Sequence, residues 1–236
     1  MAPFLARIAR LGVWLLMALA VCVPIGGCQT SLFGWSSPEM VARVVTPDGA
    51  PVAGAIVVAN WNIEGPWNGA SLGQLAIAEA VTDQNGTFRI PAWGPRSPAK
   101  GHIRIDEPTV RIFKPGFFPL IIYNYDGMPM KAANSTIVFR LQNQTIELTP
   151  FKGSLREYEL PLGKLQDSLL SIYRYQNDDS CYWKEMPRIL VAIEKLKIKL
   201  AEQGAGSTLR SAYMYAGPNE PQCGDAKQFF MKYGNE

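Results

Sequence analysis

Short apolar segments separated by tight turns fill residues 40–148, and they constrain the fold of this chain more than any other feature. Runs of roughly four to eight residues alternate with turn sequences such as Pro47-Asp48-Gly49 and Asp83-Gln84-Asn85-Gly86. We predict strands at 40–46, 55–61, 76–82, 87–93, 110–113, 118–123, 136–141 and 145–148. Strands of this length and spacing predict an antiparallel β-sandwich of seven to eight strands.

The same region carries a family resemblance. The segment VARVVTPDGAPVAGAIVVA, followed by AVTDQNGTFRI, resembles a carboxypeptidase regulatory-like, or transthyretin-like, domain. The matching positions are Gly49, Pro51, Gly54, Ala55, Thr82, Asp83, Gly86 and Phe88, and later Lys114, Gly116 and Phe117. The resemblance implies a transthyretin-like sandwich, in a family whose domains usually lack catalytic groups. Two stretches depart from the pattern, 62–75 and 94–106, and we expect them to be loops where binding function concentrates.

Beyond Phe151 the apolar spacing becomes helical. One predicted helix carries Leu162, Leu165, Leu169, Ile172 and Tyr173, a second begins near Pro187, and a short third covers 225–232. Glu157 and Glu159 flank Tyr158 as in a strand or a solvated segment. The predicted fold class is therefore α+β, with the sandwich at 39–150 followed by a small helical C-terminal region at 151–236.

The N-terminal segment, residues 1–27, has the composition of a secretory signal. Arg7 and Arg10 precede an apolar run that is shorter than the about 20 residues of a membrane-spanning helix. Its end, Ile25-Gly26-Gly27-Cys28, resembles the signal of bacterial lipoproteins. That resemblance implies cleavage before Cys28 and acyl chains such as palmitate on its sulfur, so that residues 28–38 form a lipidated tether. Gln29, the residue after the cysteine, favours the outer membrane if the cell is Gram-negative. An ordinary cleaved signal and an uncleaved anchor are the alternatives.

Four cysteines have different expected fates. Cys22 leaves with the signal, and Cys28 is the lipidated residue. Cys181 and Cys223 then remain as an even pair in an exported chain, which predicts one disulfide. Two free thiols are the alternative.

The charged and catalytic residue types exclude several classes of function. The formal net charge is only +3, so we expect no nucleic-acid partner. His102 is the only histidine, and no P-loop, G-x-S-x-G or H-E-x-x-H sequence occurs. We therefore predict no catalytic residue, no metal site and no cofactor.

Aromatic residues are the best candidates for ligand contact. Trp61, Trp67 and Trp93 lie in or beside the two long predicted loops, where their rings could stack on a sugar or grip a peptide; packing beneath those loops is the alternative. The leading hypothesis is a non-enzymatic, membrane-anchored envelope lipoprotein with an accessory or interaction role and an envelope protein partner. The rival hypotheses are a glycan- or peptide-binding module that uses the tryptophan loops, and an enzyme of unrecognised type in the C-terminal region.

Overall fold

The computed structural model describes residues 34–65, 69–104, 106–124, 136–173, 181–204, 207–216 and 221–234, and residues 35–236 form one compact unit. Within the described residues there are ten strands and three α-helices. The strands are β1 Trp35–Ser37, β2 Met40–Val45, β3 Ile56–Glu64, β4 Ser71–Val81, β5 Thr87–Ile90, β6 Trp93–Arg96, β7 His102–Ile103, β8 Thr109–Phe113, β9 Leu120–Tyr123 and β10 Thr145–Glu147. The helices are α1 Leu155–Tyr173, α2 Pro187–Glu202 and α3 Ala226–Met231. The predicted α+β class is confirmed.

Three sheets make up the β part. The large sheet has the strand order β4-β3-β8-β9, all antiparallel, and β7 pairs with the end of β3. A smaller sheet has the order β10-β2-β5, in which β10 runs parallel to β2. The third pairs β1 with β6. Residues 35–37, which the sequence assigns to the tether, thus form a strand.

The large sheet is covered on both faces, which is why β3 and β8 are buried almost throughout. On one face, Val57, Ala59 and Trp61 pack with Met40 and Phe88 of the smaller sheet. Phe88 is 0% exposed, which confirms its predicted position in the core. On the other face, the large sheet packs against the helices through Ile56, Val58 and Phe113. The chain therefore has two cores, and the large sheet separates them.

Helix α1 begins earlier than the sequence predicts. Ser154 and Glu157 form a capping box: the backbone N–H and hydroxyl of Ser154 donate to the Glu157 carboxylate at 2.7 and 2.8 Å, and the Glu157 N–H donates to Ser154 Oγ at 3.3 Å. The expectation of a strand around Glu157 and Glu159 is therefore wrong, whereas the exposed Glu157 agrees with the alternative of a solvated segment. Both residues lie on α1, which packs against the large sheet.

Residues 136–141 are predicted to form a strand and do not. Thr136 makes an isolated bridge to Ser36, and a turn follows at 140–143. The buried side chain of Asn124 takes the backbone hydrogen bonds instead: its Nδ2 donates to the Val138 carbonyl, and its Oδ1 accepts from the Arg140 N–H, both at 2.8 Å. A side chain that satisfies the backbone in this way replaces a strand partner. In the opposite sense, the predicted loop at 62–75 is shorter, because β3 continues to Glu64 and β4 starts at Ser71.

Candidate functional site

Polar side chains lie on the helix-facing side of β3, where the strand is buried under a helix. Ile56 and Val58 pack into the helical core, and Asn60 and Asn62 follow at the same spacing of two. Asn60 is 3% exposed and Asn62 is 8% exposed. Half of this strand face is therefore built for hydrogen bonding rather than for apolar packing.

The neighbouring strand β8 repeats the change from apolar to polar. Phe113 lies in the helical core, while Arg111 and Thr109 follow at a spacing of two. In the β3–β8 register Val58 is opposite Arg111, and Asn60 is opposite Thr109. Antiparallel pairing thus joins the polar halves of the two strands into one patch.

The patch forms the floor of a cavity of about 570 Å³ beneath α1, which we call the polar cleft. This volume is in the range of small-molecule sites. Its walls come from β3, β4, β8, β9, the segment before β8 and α1. Its lining includes Asn60, Asn62, Ser71, Gln74, Arg104, Glu107, Thr109, Arg111, Ile121, Tyr123, Lys164, Asp167, Ser168 and Ser171.

Arg111 is the central charge of the polar cleft and is 2% exposed. Its Nε donates to Ser168 Oγ at 2.7 Å, its Nη2 donates to the Ser168 carbonyl at 2.8 Å, and its Nη1 donates to Asn60 Oδ1 at 2.5 Å. Because a guanidinium has five N–H groups, two remain without a partner among the described residues. No described carboxylate is in ion-pair contact with it.

Burial lowers the pKa of Arg111. Desolvation lowers the pKa of Arg111 to about 10, and the nearby charge of Glu107 opposes that shift. A buried cation without an ion-pair partner is costly in an unoccupied protein. An anionic ligand in the cleft would supply the missing charge.

Glu107 lines the same cleft and is 3% exposed. One carboxylate oxygen, Oε2, accepts a hydrogen bond from the Thr109 N–H at 2.7 Å. Burial raises the pKa of Glu107 to about 7, with a further rise from Asp106, while the Thr109 hydrogen bond and the charges of Arg104 and Arg111 oppose the shift. Glu107 can therefore gain or lose a proton near neutral pH, as an acid–base group requires.

A chain of amides fixes the other wall. Asn60 Nδ2 donates to Gln74 Oε1 at 2.6 Å, and Gln74 Nε2 donates to Asn62 Oδ1 at 3.1 Å. The Ser71 hydroxyl also donates to Asn62 Oδ1. Since Asn60 in turn accepts from Arg111, the amides hold the guanidinium in one orientation.

The cations at the edge of the cleft differ in how they are paired. Arg104 makes a two-point contact with Asp106, at 2.9 and 2.8 Å, and these hydrogen bonds raise the pKa of Arg104. Lys164 lines the cleft from α1 and is exposed, with no ion pair to any described carboxylate. The lining therefore holds Arg104, Arg111 and Lys164 together with the carboxylates Glu107 and Asp167, and Asp167 is paired with Arg210 at 2.9 Å.

The tryptophans of the sequence hypothesis do not line this cleft. Trp61 is 0% exposed and lies in the core between the sheets, so it is a core residue rather than a loop residue available to a ligand. Trp93 is half-buried and contacts Trp61 edge-to-face, with ring centroids 5.1 Å apart. Their indole N–H groups are buried and have no described hydrogen-bond partner. Trp67 and Cys28 lie outside the described residues.

The remaining candidate residues do not line the cleft either. The structure contains a disulfide between Cys181 and Cys223, with Cα atoms 5.5 Å apart. His102 is an exposed residue of β7, with Nε2 3.8 Å from Glu64 Oε2. Across the described ranges, no three His, Cys, Asp or Glu residues are grouped as a metal site, and none of the described helices is long and apolar enough to span a membrane.

Sequence reasoning missed the polar cleft, although one local feature marks it. Arg111 stands in the run Val110-Arg111-Ile112-Phe113, where alternation alone would place its charge on an exposed face; the apolar Phe113 on the same face is the sign that this face is covered. The partners Asn60, Glu107 and Ser168 are separated along the chain, and only the sheet register and the packing of α1 bring them together.

No family model matches this chain, and no curated protein matches it. Among solved structures, it is similar to chlorocatechol 1,2-dioxygenase from Pseudomonas putida, at a TM-score of 0.30 and 15% identity, over 50% of this chain and 61% of that one. For catechol 1,2-dioxygenase from Pseudomonas arvilla C-1, the TM-score is 0.31 and the identity is 14%, over 53% of this chain and 55% of that one. For the major pilin SpaD from Corynebacterium diphtheriae, the TM-score is 0.28 and the identity is 16%, over 51% of this chain and 31% of that one. The chain thus spans 61% or less of each of these proteins, and the similarity transfers no residue role or reaction to it.

The expected function, a non-enzymatic accessory lipoprotein, is corrected. The similar solved structures, mostly dioxygenases, give a lipoprotein role no support, and neither does a family model or a curated protein. The expectation depended on finding no chemically active set of residues. Arg111 and Glu107 form such a set in one cleft, and the sequence did not reveal it.

Proposed function

We propose that the polar cleft binds a small organic anion, with Arg111 as its anchor. The observation that carries this proposal is the buried guanidinium with two unused N–H groups and no described ion-pair partner. A carboxylate accepts two parallel hydrogen bonds from a guanidinium and balances its charge. Lys164 at the edge adds to the attraction.

The rest of the cleft selects for a polar ligand rather than a hydrocarbon. Asn62, Gln74 and Ser71 present amide and hydroxyl groups on one side, and Thr109 and Tyr123 line the other. Amides both donate and accept hydrogen bonds, so they suit a hydroxyl or carbonyl substituent on the anion. The ligand class is therefore a small carboxylate that carries further oxygen substituents.

Binding is tested by nuclear magnetic resonance titration of the wild type and Arg111→Met with benzoate, succinate, pyruvate and 2-oxoglutarate. At least one anion should shift cleft resonances of the wild type saturably, and Arg111→Met should weaken that binding by 10-fold or more. Arg89→Met, which removes an exposed arginine paired with Glu39, is the matched control and should bind as the wild type does. Equal binding by wild type and Arg111→Met would reject the proposal.

The second candidate function, an enzyme that moves a proton on the bound anion, is favoured by Glu107. Its pKa of about 7 lets the carboxylate take a proton from a carbon next to a carbonyl group, while Arg111 holds the substrate carboxylate. The C–H bond breaks, its electron pair forms the C=C bond of an enolate, and the π pair of the carbonyl group passes to the oxygen. Glu107 takes the proton, which exchanges with solvent before a proton returns to carbon.

Deuterium exchange tests this second function. In D₂O, the wild type should accelerate deuterium incorporation at C3 of pyruvate or 2-oxoglutarate, and Glu107→Gln should abolish the acceleration while still binding the anion. Binding without any exchange would leave the cleft as a binding site and reject the enzyme.

The location and family of the chain remain predictions of the sequence. Export through residues 1–27 and acylation of Cys28 concern residues outside the described ranges, and intact-mass measurement of wild type and Cys28→Ser would test them. The turn glycines Gly49, Gly54 and Gly86 have positive φ, at 84°, 72° and 75°, as tight turns require, and no family model matches the chain.

A further inference from the structure

A second cavity, which we call the apolar groove, lies between α2 and the adjoining ends of the sandwich. Its volume is about 760 Å³, and its walls include Ile56, Val81, Pro115, Val191, Leu196 and Ile198. It shares no lining residue with the polar cleft. The two cavities therefore present opposite chemistry to a ligand.

Apolar side chains that are not buried in either core are exposed in the apolar groove. Ile198 is 50% exposed and Val81 is 42% exposed, on opposite sides of the groove. The groove runs beside α2 from Arg188 to Glu202, a length of about 21 Å at 1.5 Å per residue. Facing apolar walls of this length suit an extended alkyl chain.

Cations border the groove along α2. Arg188, Lys195 and Lys199 all line it, against one carboxylate, Glu202. Arg188 pairs with Glu79 and lies over the Tyr233 ring. Lys195 and Lys199 line the groove nearer the C-terminal end of α2. They are one helical turn apart and both exposed, with aliphatic stems that extend the apolar wall up to a charged edge.

We propose that the apolar groove binds a single-chain amphipathic anion, a long-chain carboxylate. Its alkyl chain lies between α2 and the sandwich, and its carboxylate contacts Lys195 and Lys199. Charge complementarity selects this occupant, because the walls are apolar while the edge is cationic. The site is independent of the anion site at Arg111.

Calorimetry with decanoate and 1-decanol, both below their aggregation limits, separates the contribution of the carboxylate charge to binding from that of the alkyl chain. The wild type should bind decanoate saturably and at least 10-fold more tightly than 1-decanol. Lys195→Gln/Lys199→Gln should remove most of that preference. Lys197→Gln is the matched control, because Lys197 is on the same helix, contacts Glu194 at 3.8 Å and does not line the groove.

Two further variants test the position of the chain. Ala192→Trp fills the groove and should abolish decanoate binding. Ile198→Glu places a negative charge on an exposed wall and should weaken the binding at least 10-fold, so the test stands even if Ala192→Trp does not fold. No binding by the wild type, equal affinity for the two probes, or binding only to phosphatidylglycerol vesicles would overturn the proposal.

Discussion

The guanidinium of Arg111 donates to both the hydroxyl and the carbonyl oxygen of Ser168, at 2.7 and 2.8 Å. Arg111 belongs to β8 and Ser168 to α1, so this contact joins the sheet to the helix across the polar cleft. It also fixes the side chain while leaving part of its hydrogen-bonding capacity unused. A cation held in place but not neutralised is the arrangement expected of a preorganised anion site.

Ser168→Asp tests whether anions bind in the cleft because they balance the charge of Arg111. The new carboxylate would lie next to Nε and neutralise the guanidinium charge that an anionic ligand would otherwise balance. We expect the Tm to be unchanged or higher and anion affinity to fall at least 10-fold, as measured by thermal denaturation and titration with the tightest-binding carboxylate. Ser171→Asp, one helical turn further along the cleft, is the control and should weaken binding less. Undiminished affinity in Ser168→Asp would show that Arg111 is not the anchor.

Glu107→Gln should change stability in a pH-dependent way. The folded-state pKa of Glu107 is about 7, against an ordinary value of 4.5 for a glutamate, so folding favours the protonated form. The folded wild type therefore loses stability as pH rises from about 4.5 to about 7, by about 3 kcal/mol in all. A glutamine avoids this loss and can still accept the Thr109 hydrogen bond.

The measurement is Tm against pH for the wild type and Glu107→Gln. The two should agree near pH 4.5, and the variant should be several degrees more stable above pH 7. Glu147→Gln, at an exposed position of β10, is the control and should show no such divergence. A difference that does not vary with pH would contradict the assignment.

Glu79 should contribute to stability as the cap of α2. Its carboxylate, 4% exposed, accepts hydrogen bonds from the backbone N–H groups of Arg188 and Ile189 at 3.0 and 2.9 Å. Glu79→Ala leaves these donors without their acceptor and should cost about 2 kcal/mol in urea denaturation. Glu185→Ala, at an exposed position just before the helix, should cost only a few tenths. Equal effects of the two substitutions would show that the cap contributes nothing.

The Cys181–Cys223 disulfide should stabilise the C-terminal part of the fold. The two residues are 42 positions apart, for which restriction of the unfolded chain gives about 4 kcal/mol. Cys181→Ser/Cys223→Ser should therefore lower the urea midpoint substantially, and a reductant should lower the midpoint of the wild type to that of the variant. An unchanged midpoint would indicate that the crosslink restricts little.

The sequence predicts the regular strands and helices better than the segments whose structure depends on a single side chain. Alternating apolar residues and glycine turns locate most strands, and helical spacing locates the three helices, including α3, whose cap Asp225 accepts from the Lys227 and Gln228 N–H groups. Residues 136–141 fail because the decisive partner, Asn124, lies more than ten residues earlier in the chain. Glu157 was misassigned because its role as a cap depends on Ser154 and not on alternation.

The polar cleft could not be derived from spacing alone. Asn60 and Arg111 are 51 residues apart, and Arg111 and Ser168 are 57 apart. Their meeting depends on the β3–β8 register and on how α1 crosses the sheet, and neither is encoded locally. Alternation at 110–113 predicts an exposed Arg111, and only the apolar Phe113 on the same face indicates that the face is covered.

The most direct test of the central claim observes the Arg111 guanidinium itself. In ¹⁵N spectra of arginine Nε–H groups, with Arg111 assigned by comparison with Arg111→Lys, titration with the tightest-binding carboxylate should shift the Arg111 resonance saturably. The Arg104 resonance, already paired with Asp106, should move much less. An Arg111 resonance that stays fixed while the carboxylate binds elsewhere would contradict the assignment of the polar cleft as an anion site.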